Sequence, residues 1–207
     1  ANGNGIASFN TDGITWDTVA SGYFNSSGSN FVAWQWKANG GTTANQTGSD
    51  IASVTQANTD AGFSIVTWTG NGSAGQSVKH GLGVTPNFII FKSRSATADW
   101  FVYHQALGNT KHLHLNTTDA EATTADFANY GPNSTNFYVN NTGLCINNVT
   151  YIAYAFAEIQ GYSKFGKYVG NGNANGPFVY TGFKPAFVIL KGSSASGSWY
   201  MLDSKRD

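Results

Sequence analysis

Trp68-Thr69-Gly70-Asn71-Gly72 reappears later in the chain as Tyr168-Val169-Gly170-Asn171-Gly172, and the residues that follow fall into line. Gly83-Val84-Thr85-Pro86 matches Gly182-Phe183-Lys184-Pro185, Lys92 matches Lys191, and Trp100 matches Trp199. The spacing from Pro to Lys is 6 in both stretches, and from Pro to Trp it is 14. Self-similarity of this kind constrains the fold before any single element is assigned. A second pair extends it. Phe31-Val32-Ala33-Trp34-Gln35-Trp36 resembles Tyr151-Ile152-Ala153-Tyr154-Ala155-Phe156, each after a polar turn and an aromatic-bearing strand, Ile14 to Trp16 and Phe137 to Val139.

The order of halves is therefore late, then early plus late, then early. Residues 62–161 read as a complete unit, 1–37 as the late half of a second, 162–207 as its early half, and 38–61 as a polar linker. A half-unit leaves strand edges unpaired and an inner face uncovered. Closure of the two ends within one chain is the first expectation. Completion by neighbouring chains, giving a head-to-tail fibre, and excision from a longer array are the others.

Short runs rich in Val, Ile, Thr, Phe, Tyr and Trp alternate with Gly, Asn, Ser and Asp clusters, and no segment has a helical period. The expected fold is all-β, an antiparallel sandwich of jelly-roll or lectin-like kind built from two pseudo-repeated units, with little or no helix. Phe88-Ile89-Ile90-Phe91 and Phe187-Val188-Ile189-Leu190 are apolar on both faces, so each is expected to be a central strand. In Tyr151 to Phe156 a small face, Ala153 and Ala155, alternates with a large one, as in a strand whose sides meet different layers. The two Gly-Asn-Gly motifs read as hairpin turns.

Composition narrows the function. Eleven basic and 11 acidic side chains cancel, which removes the concentrated basic face that nucleic acid requires. Only 11% of residues are charged, against roughly 25% in an average protein. Asn, Gly, Ser and Thr supply the missing polarity. No apolar stretch is long enough to span a bilayer as a helix. No basic-then-apolar leader opens the chain, so an extracellular destination would be reached another way. The single cysteine, Cys145, forms no intrachain disulfide and lies in an apolar run as a buried, inert thiol.

His112-Leu113-His114 puts two imidazoles on one strand face, the candidates for a metal, with His80 and His104 in the same unit. A solvated strand face is the simpler expectation, and no cofactor is implied. The carboxylates lie mostly in turns, and nucleophile elbow, phosphate loop and dinucleotide fingerprint are all missing, so no enzyme is expected. Carbohydrate binding is the alternative. Aromatic plates stack on sugar C–H faces while Asn and Asp bond the hydroxyls. Trp100 beside Asp99, near Tyr103 and His104, and Trp199 near Asp203 are the candidates, with Trp16 and Tyr130 as further aromatics. Recurrence of the tryptophan in both repeats favours a core plug instead. Seven glycosylation sequons begin at Asn25, Asn45, Asn71, Asn116, Asn133, Asn140 and Asn148.

Gly62 to Gly72, His80 to Pro86, Trp100 to His104 and Leu107 to Lys111 resemble a domain of unknown function repeated in structural proteins of tailed bacteriophages and marine viruses. Tyr151 to Gly161, Gly176 to Phe187, Trp199 to Asp207 and the edge Ala57 to Gly62 resemble the same family. The resemblance implies a virion or extracellular structural or adhesive protein, a phage tail, fibre or filament component, with copies of itself or a host-surface glycan as partners. It carries no catalytic residues. Family members run on past a segment like Asp203 to Asp207 into a further late half, so the resemblance also implies a fragment or a subunit completed by its neighbour.

Overall fold

The computed structural model describes residues 5–17, 25–31, 33–38 and 43–205. They belong to two compact units, Ala1–Trp36 and Lys37–Asp207. In the first, β1 (Ile6–Phe9) and β2 (Ile14–Trp16) form an antiparallel hairpin. Asn10 closes its turn, the backbone N–H donating to Gly13 O at 2.8 Å and Nδ2 to Thr15 Oγ1 at 2.8 Å. Every residue of β1 is exposed.

The second unit contains β3 (Ala44–Gln46), β4 (Ser53–Asn58), β5 (Phe63–Thr69), β6 (Gln76–Lys79), β7 (Phe88–Ser93), β8 (Phe101–His104), β9 (Lys111–His114), β10 (Ala122–Thr123), β11 (Asn136–Val139), β12 (Thr150–Phe156), β13 (Phe187–Lys191) and β14 (Trp199–Asp203). The fold is all-β and antiparallel. Its only described helix is the 3-10 turn Gln105–Leu107. Eight strands form one sheet in the order β10-β9-β8-β7-β12-β5-β4-β3, and β6 pairs with β11 as a separate ribbon.

The alternation in β12 explains the layering. Tyr151, Ala153 and Ala155 face inward and are fully buried, while Ile152, Tyr154 and Phe156 are half-buried on the other face. The two alanines leave room for a ribbon of large residues, Val78, Phe137 and Val139, in the same core as Val66, Trp68, Ile89 and Phe91. Trp68 sits at the centre, its ring 5.2 Å from Tyr151 and 5.3 Å from Phe137, and its Nε1 donates to Leu144 O at 3.2 Å. Burying each Phe-sized side chain contributes about 1.5–3 kcal/mol.

Several expectations are corrected. Gly70 to Gly75 is not a hairpin turn, because β5 and β6 lie in different sheets, and the positive φ falls on Gly72 (78°) and Gly75 (67°) rather than on Asn71. The stretch read as a linker supplies β3 and β4, whose alternating Ser53 and Thr55 turn inward and are buried. β7 is central as expected, between β12 and β8, but β13 is not. Among the described strands it pairs with β14 alone.

That hairpin nevertheless reproduces β7–β8 residue for residue, 99 positions on. Phe88 faces His104 and Phe187 faces Asp203; Phe91 faces Phe101 and Leu190 faces Tyr200. Lys92 Nζ donates to Ala98 O at 2.6 Å, and Lys191 Nζ to Gly197 O at 2.8 Å. The His104 side chain accepts from Ala106 N at 3.1 Å, and Asp203 from Lys205 N at 2.9 Å. Earlier in the repeat the likeness fails. Trp68, Val78 and His80 are 4%, 0% and 0% exposed, whereas Tyr168, Phe178 and Tyr180, 100 positions on, are 52%, 89% and 77% exposed. Residues 164–186 form no strand.

Candidate functional site

Three of the aromatic and acidic residues singled out in the sequence come together at one end of β8 and β9. Trp100 N donates to Asn116 Oδ1 at 2.9 Å, and Asn116 Nδ2 donates to Asp99 Oδ1 at 2.7 Å. Leu115 N donates to Trp100 O at 3.0 Å, which binds the loop before β8 to the loop after β9. Lys92 Nζ stands 5.9 Å from the Trp100 ring centroid, held there by Ala98 O. The other Asp99 oxygen lies 3.9 Å from His114 Nδ1.

The second repeat approaches the same segment from β13–β14. Trp199 Nε1 donates to His114 O at 2.9 Å, and Lys191 Nζ to Thr118 O at 3.1 Å. Backbone bonds from Gly197 N to Thr118 O at 2.7 Å and Glu121 N to Ser193 O at 2.8 Å complete the join. Trp100 and Trp199 therefore bond to consecutive residues, Leu115 and His114, although their repeats are distinct. Neither plugs its own unit's core: both are half-buried, and neither belongs to the buried cluster. The recurrence of the tryptophan reflects the β7–β8 hairpin frame, not a shared packing site.

Tyr103, His104 and Asp203 are elsewhere. Tyr103 is buried on the core face with its ring 5.4 Å from Phe127, and burial pushes its phenol pKa up. His104 caps the 3-10 turn through its side chain. Burial draws its pKa down, with the Glu158 charge opposing. Asp203 repeats that capping bond. Tyr130 is exposed and pairs with Tyr138 at 5.2 Å, where Asn133 Nδ2 donates to the Tyr138 hydroxyl at 3.1 Å. Trp16 ends β2 and is half-buried.

The histidine pair is not a solvated face. His112 is buried and His114 half-buried, on the core side of β9, with ring centroids 4.5 Å apart and the Phe101 ring edge-on to both. The register dictates this, because His114 lies opposite Phe101, which lies opposite the buried Phe91. Burial, then the neighbouring His114, draws the His112 pKa down. Among the described residues no three His, Cys, Asp or Glu side chains gather as a metal would require. Cys145 is buried, its Sγ 3.3 Å from Asn71 Oδ1.

Carboxylates hold turns. Asp50 Oδ2 accepts from Ser77 N at 2.9 Å and Ser77 Oγ at 2.6 Å, bonds that draw its pKa down. Glu158 takes Phe165 N at 2.9 Å and Lys164 Nζ at 2.8 Å. Of the sequon asparagines, Asn71, Asn116, Asn133 and Asn140 have their amides engaged in hydrogen bonds. Asn25, Asn45 and Asn148 are exposed.

Sequence reasoning missed Lys92 as a neighbour of Trp100 and Asn116 as the clamp of its loop. It also missed a 510 Å³ hollow lined by Asn45, Gln46, Thr67, Thr69, Thr150 and Arg94. The alternation of Thr67 and Thr69 with buried Val66 and Trp68 was the available signal, since it turns both threonines outward. Among the described residues no helix is long and apolar enough to cross a membrane.

No curated protein and no solved structure matches the chain. A family model matches it over residues 1–207, and the chain belongs to that family, described as a domain of unknown function, DUF7483.

Proposed function

We propose that the chain is a non-enzymatic structural or adhesive protein that assembles through its strand edges. One observation carries the reading. β13–β14 reproduces the frame of β7–β8, yet β7 has β12 along its second edge, whereas β13 has no second neighbour among the described residues. An open edge beside exposed apolar residues is a template for another chain. The low charge of the surface agrees, because few ions need be desolvated when neutral faces meet. The virion or extracellular setting, in a particle or filament, rests on the resemblance of the repeat motifs to viral tail and appendage proteins. Light scattering over a wide concentration range tests it: mass should rise above that of one chain, and a chain that stays single throughout would overturn the assembly reading.

A second reading has its own observation. Asp99, Trp100, Asn116 and Trp199 gather around His114 and Leu115, which supplies aromatic faces and planar hydrogen-bonding groups together. That is the chemistry of a host-surface glycan site. On a glycan array, retention that Trp100→Ala abolishes in folded protein supports it, and no retention at all removes it.

A further inference from the structure

On the face of the large sheet turned away from the core, two rows of side chains line the 510 Å³ hollow. Asn45, Val54 and Thr67 lie in register across β3, β4 and β5. One pleat further on, Thr69 stands opposite Thr150, and Arg94 N donates to Thr150 O at 2.7 Å, which sets Arg94 beside Thr150 just past the end of β7. Strands lie about 4.8 Å apart and alternate residues about 6.8 Å along each strand, so the two rows cover a patch of roughly 10 by 7 Å. Asn45, Val54, Thr69 and Arg94 are exposed, so the patch is open to a ligand.

Its polar groups are not used by the fold. Among the described residues no hydrogen bond or ion pair engages the side chains of Asn45, Thr67, Thr69, Thr150 or Arg94. Their neighbours behave otherwise: Gln46 Nε2 donates to Thr55 Oγ1 at 3.1 Å, and Ser53 Oγ to Lys79 O at 2.8 Å. Arg94 is the one charged residue lining the hollow, and no carboxylate there neutralises it. A guanidinium offers a carboxylate two parallel N–H bonds. Threonine hydroxyls and the Asn45 amide both donate and accept, as sugar hydroxyls do. Val54 adds an apolar floor for a ring's C–H face. One cation set among hydroxyls suits a sugar acid better than a phosphate, for which a nest of backbone N–H groups or several cations would be needed.

We propose that this hollow binds a carboxylate-bearing sugar of an acidic polysaccharide, with Arg94 holding the carboxylate and Thr67, Thr69, Thr150 and Asn45 bonding the ring hydroxyls. It shares no residue with the cluster around Trp100 and Trp199, so it stands or falls independently of the glycan reading placed there.

Calorimetric titration of the full chain tests this, using short oligosaccharides of galacturonate, of mannuronate and of sialic acid. The methyl ester of each keeps every ring hydroxyl and loses the charge, and acetate keeps the carboxylate alone. At least one acid should bind, its ester about tenfold or more weaker, and acetate not measurably. Arg94→Gln should cost the acid that same factor and leave the ester unchanged, and Arg94→Lys should restore only part, because an ammonium lacks the planar fork. Thr67→Val, close in shape and suited to a strand, should weaken acid and ester alike by about threefold to tenfold. Lys184→Gln removes an exposed charge elsewhere and should change nothing. Circular dichroism confirms that each variant is folded. Failure of all three acids to bind, equal affinity for acid and ester, or binding that survives Arg94→Gln and is lost in Trp100→Ala would each overturn the proposal.

Discussion

The Trp199 indole Nε1 donates to the His114 carbonyl at 2.9 Å, a bond that joins residues 85 positions apart. Trp199→Phe keeps an aromatic ring, smaller than the indole, and removes the donor. A typical hydrogen bond contributes about 1 kcal/mol net, so the expected loss is local. In native-state hydrogen exchange, amides of β13 and β14 should lose protection by about that amount, while those of β5 and β12 keep theirs.

The same motif has different constraints in the two repeats. A Cβ at Gly70 would meet Ile146 O at 2.3 Å and Cys145 C at 2.8 Å, whereas one at Gly170 would meet no atom within 4 Å. Backbone atoms cannot swing aside as a side chain can. Gly70→Ala should therefore cost about 3 kcal/mol, the upper range of overpacking, and Gly170→Ala should stay within about 0.5 kcal/mol. Urea midpoints of the two variants decide this.

Asp126 is buried and accepts hydroxyl bonds from Thr124, at 2.6 Å, and from Thr142. An amide there would turn an acceptor into a donor beside a threonine hydroxyl. Asp126→Asn should destabilise the chain by about 1–3 kcal/mol, the usual penalty for an unsatisfied buried group. Thermal unfolding would show the loss, and Thr142→Val added to Asp126→Asn should cost less than the same change in wild type.

Acid should weaken the fold through the buried imidazoles. His80 accepts from Leu82 N at its Nδ1, at 3.2 Å, and its Nε2 lies 3.0 Å from Asn133 O, a pattern that suits the neutral ring. Burial draws its pKa below the ordinary 6.5. The unfolded chain then binds the proton more readily, so this stability is fully present above pH 6.5 and declines as pH falls from there toward the folded-state pKa. His104 and His112 shift the same way. Urea midpoints should fall between about pH 7 and pH 5, and His80→Gln should show a shallower fall. An unchanged slope would remove His80 from the account.

The strands and the repeat were readable because they rest on local alternation. The small and large faces of β12 announced two unlike layers, and the matched spacings from Pro86 and Pro185 announced the common hairpin frame. What could not be read depends on partners distant in the chain. β6 leaves the sheet of β5 because it pairs with β11, some sixty positions later. Ala44 to Gln46 have little strand preference of their own and become a strand beside β4. The approach of Trp100 and Trp199 to the adjoining residues Leu115 and His114 arises from docking of the second hairpin on the β9 segment, which no motif near either tryptophan encodes.

The two repeats run 100 positions apart as far as His80 and Tyr180 but 99 from Gly83 and Gly182 onward. One residue is therefore missing from the later loop. Strand side chains alternate sides at every step, so the same loss inside β13 would reverse the facing of all residues beyond it. Placed among Thr181 and Gly182, where Gly182 has a φ of 81°, it alters only the loop's reach. Parity, rather than length, is what this chain keeps between its repeats, and insertions or deletions engineered into it should be tolerated in the loops in any number and within the strands only in pairs.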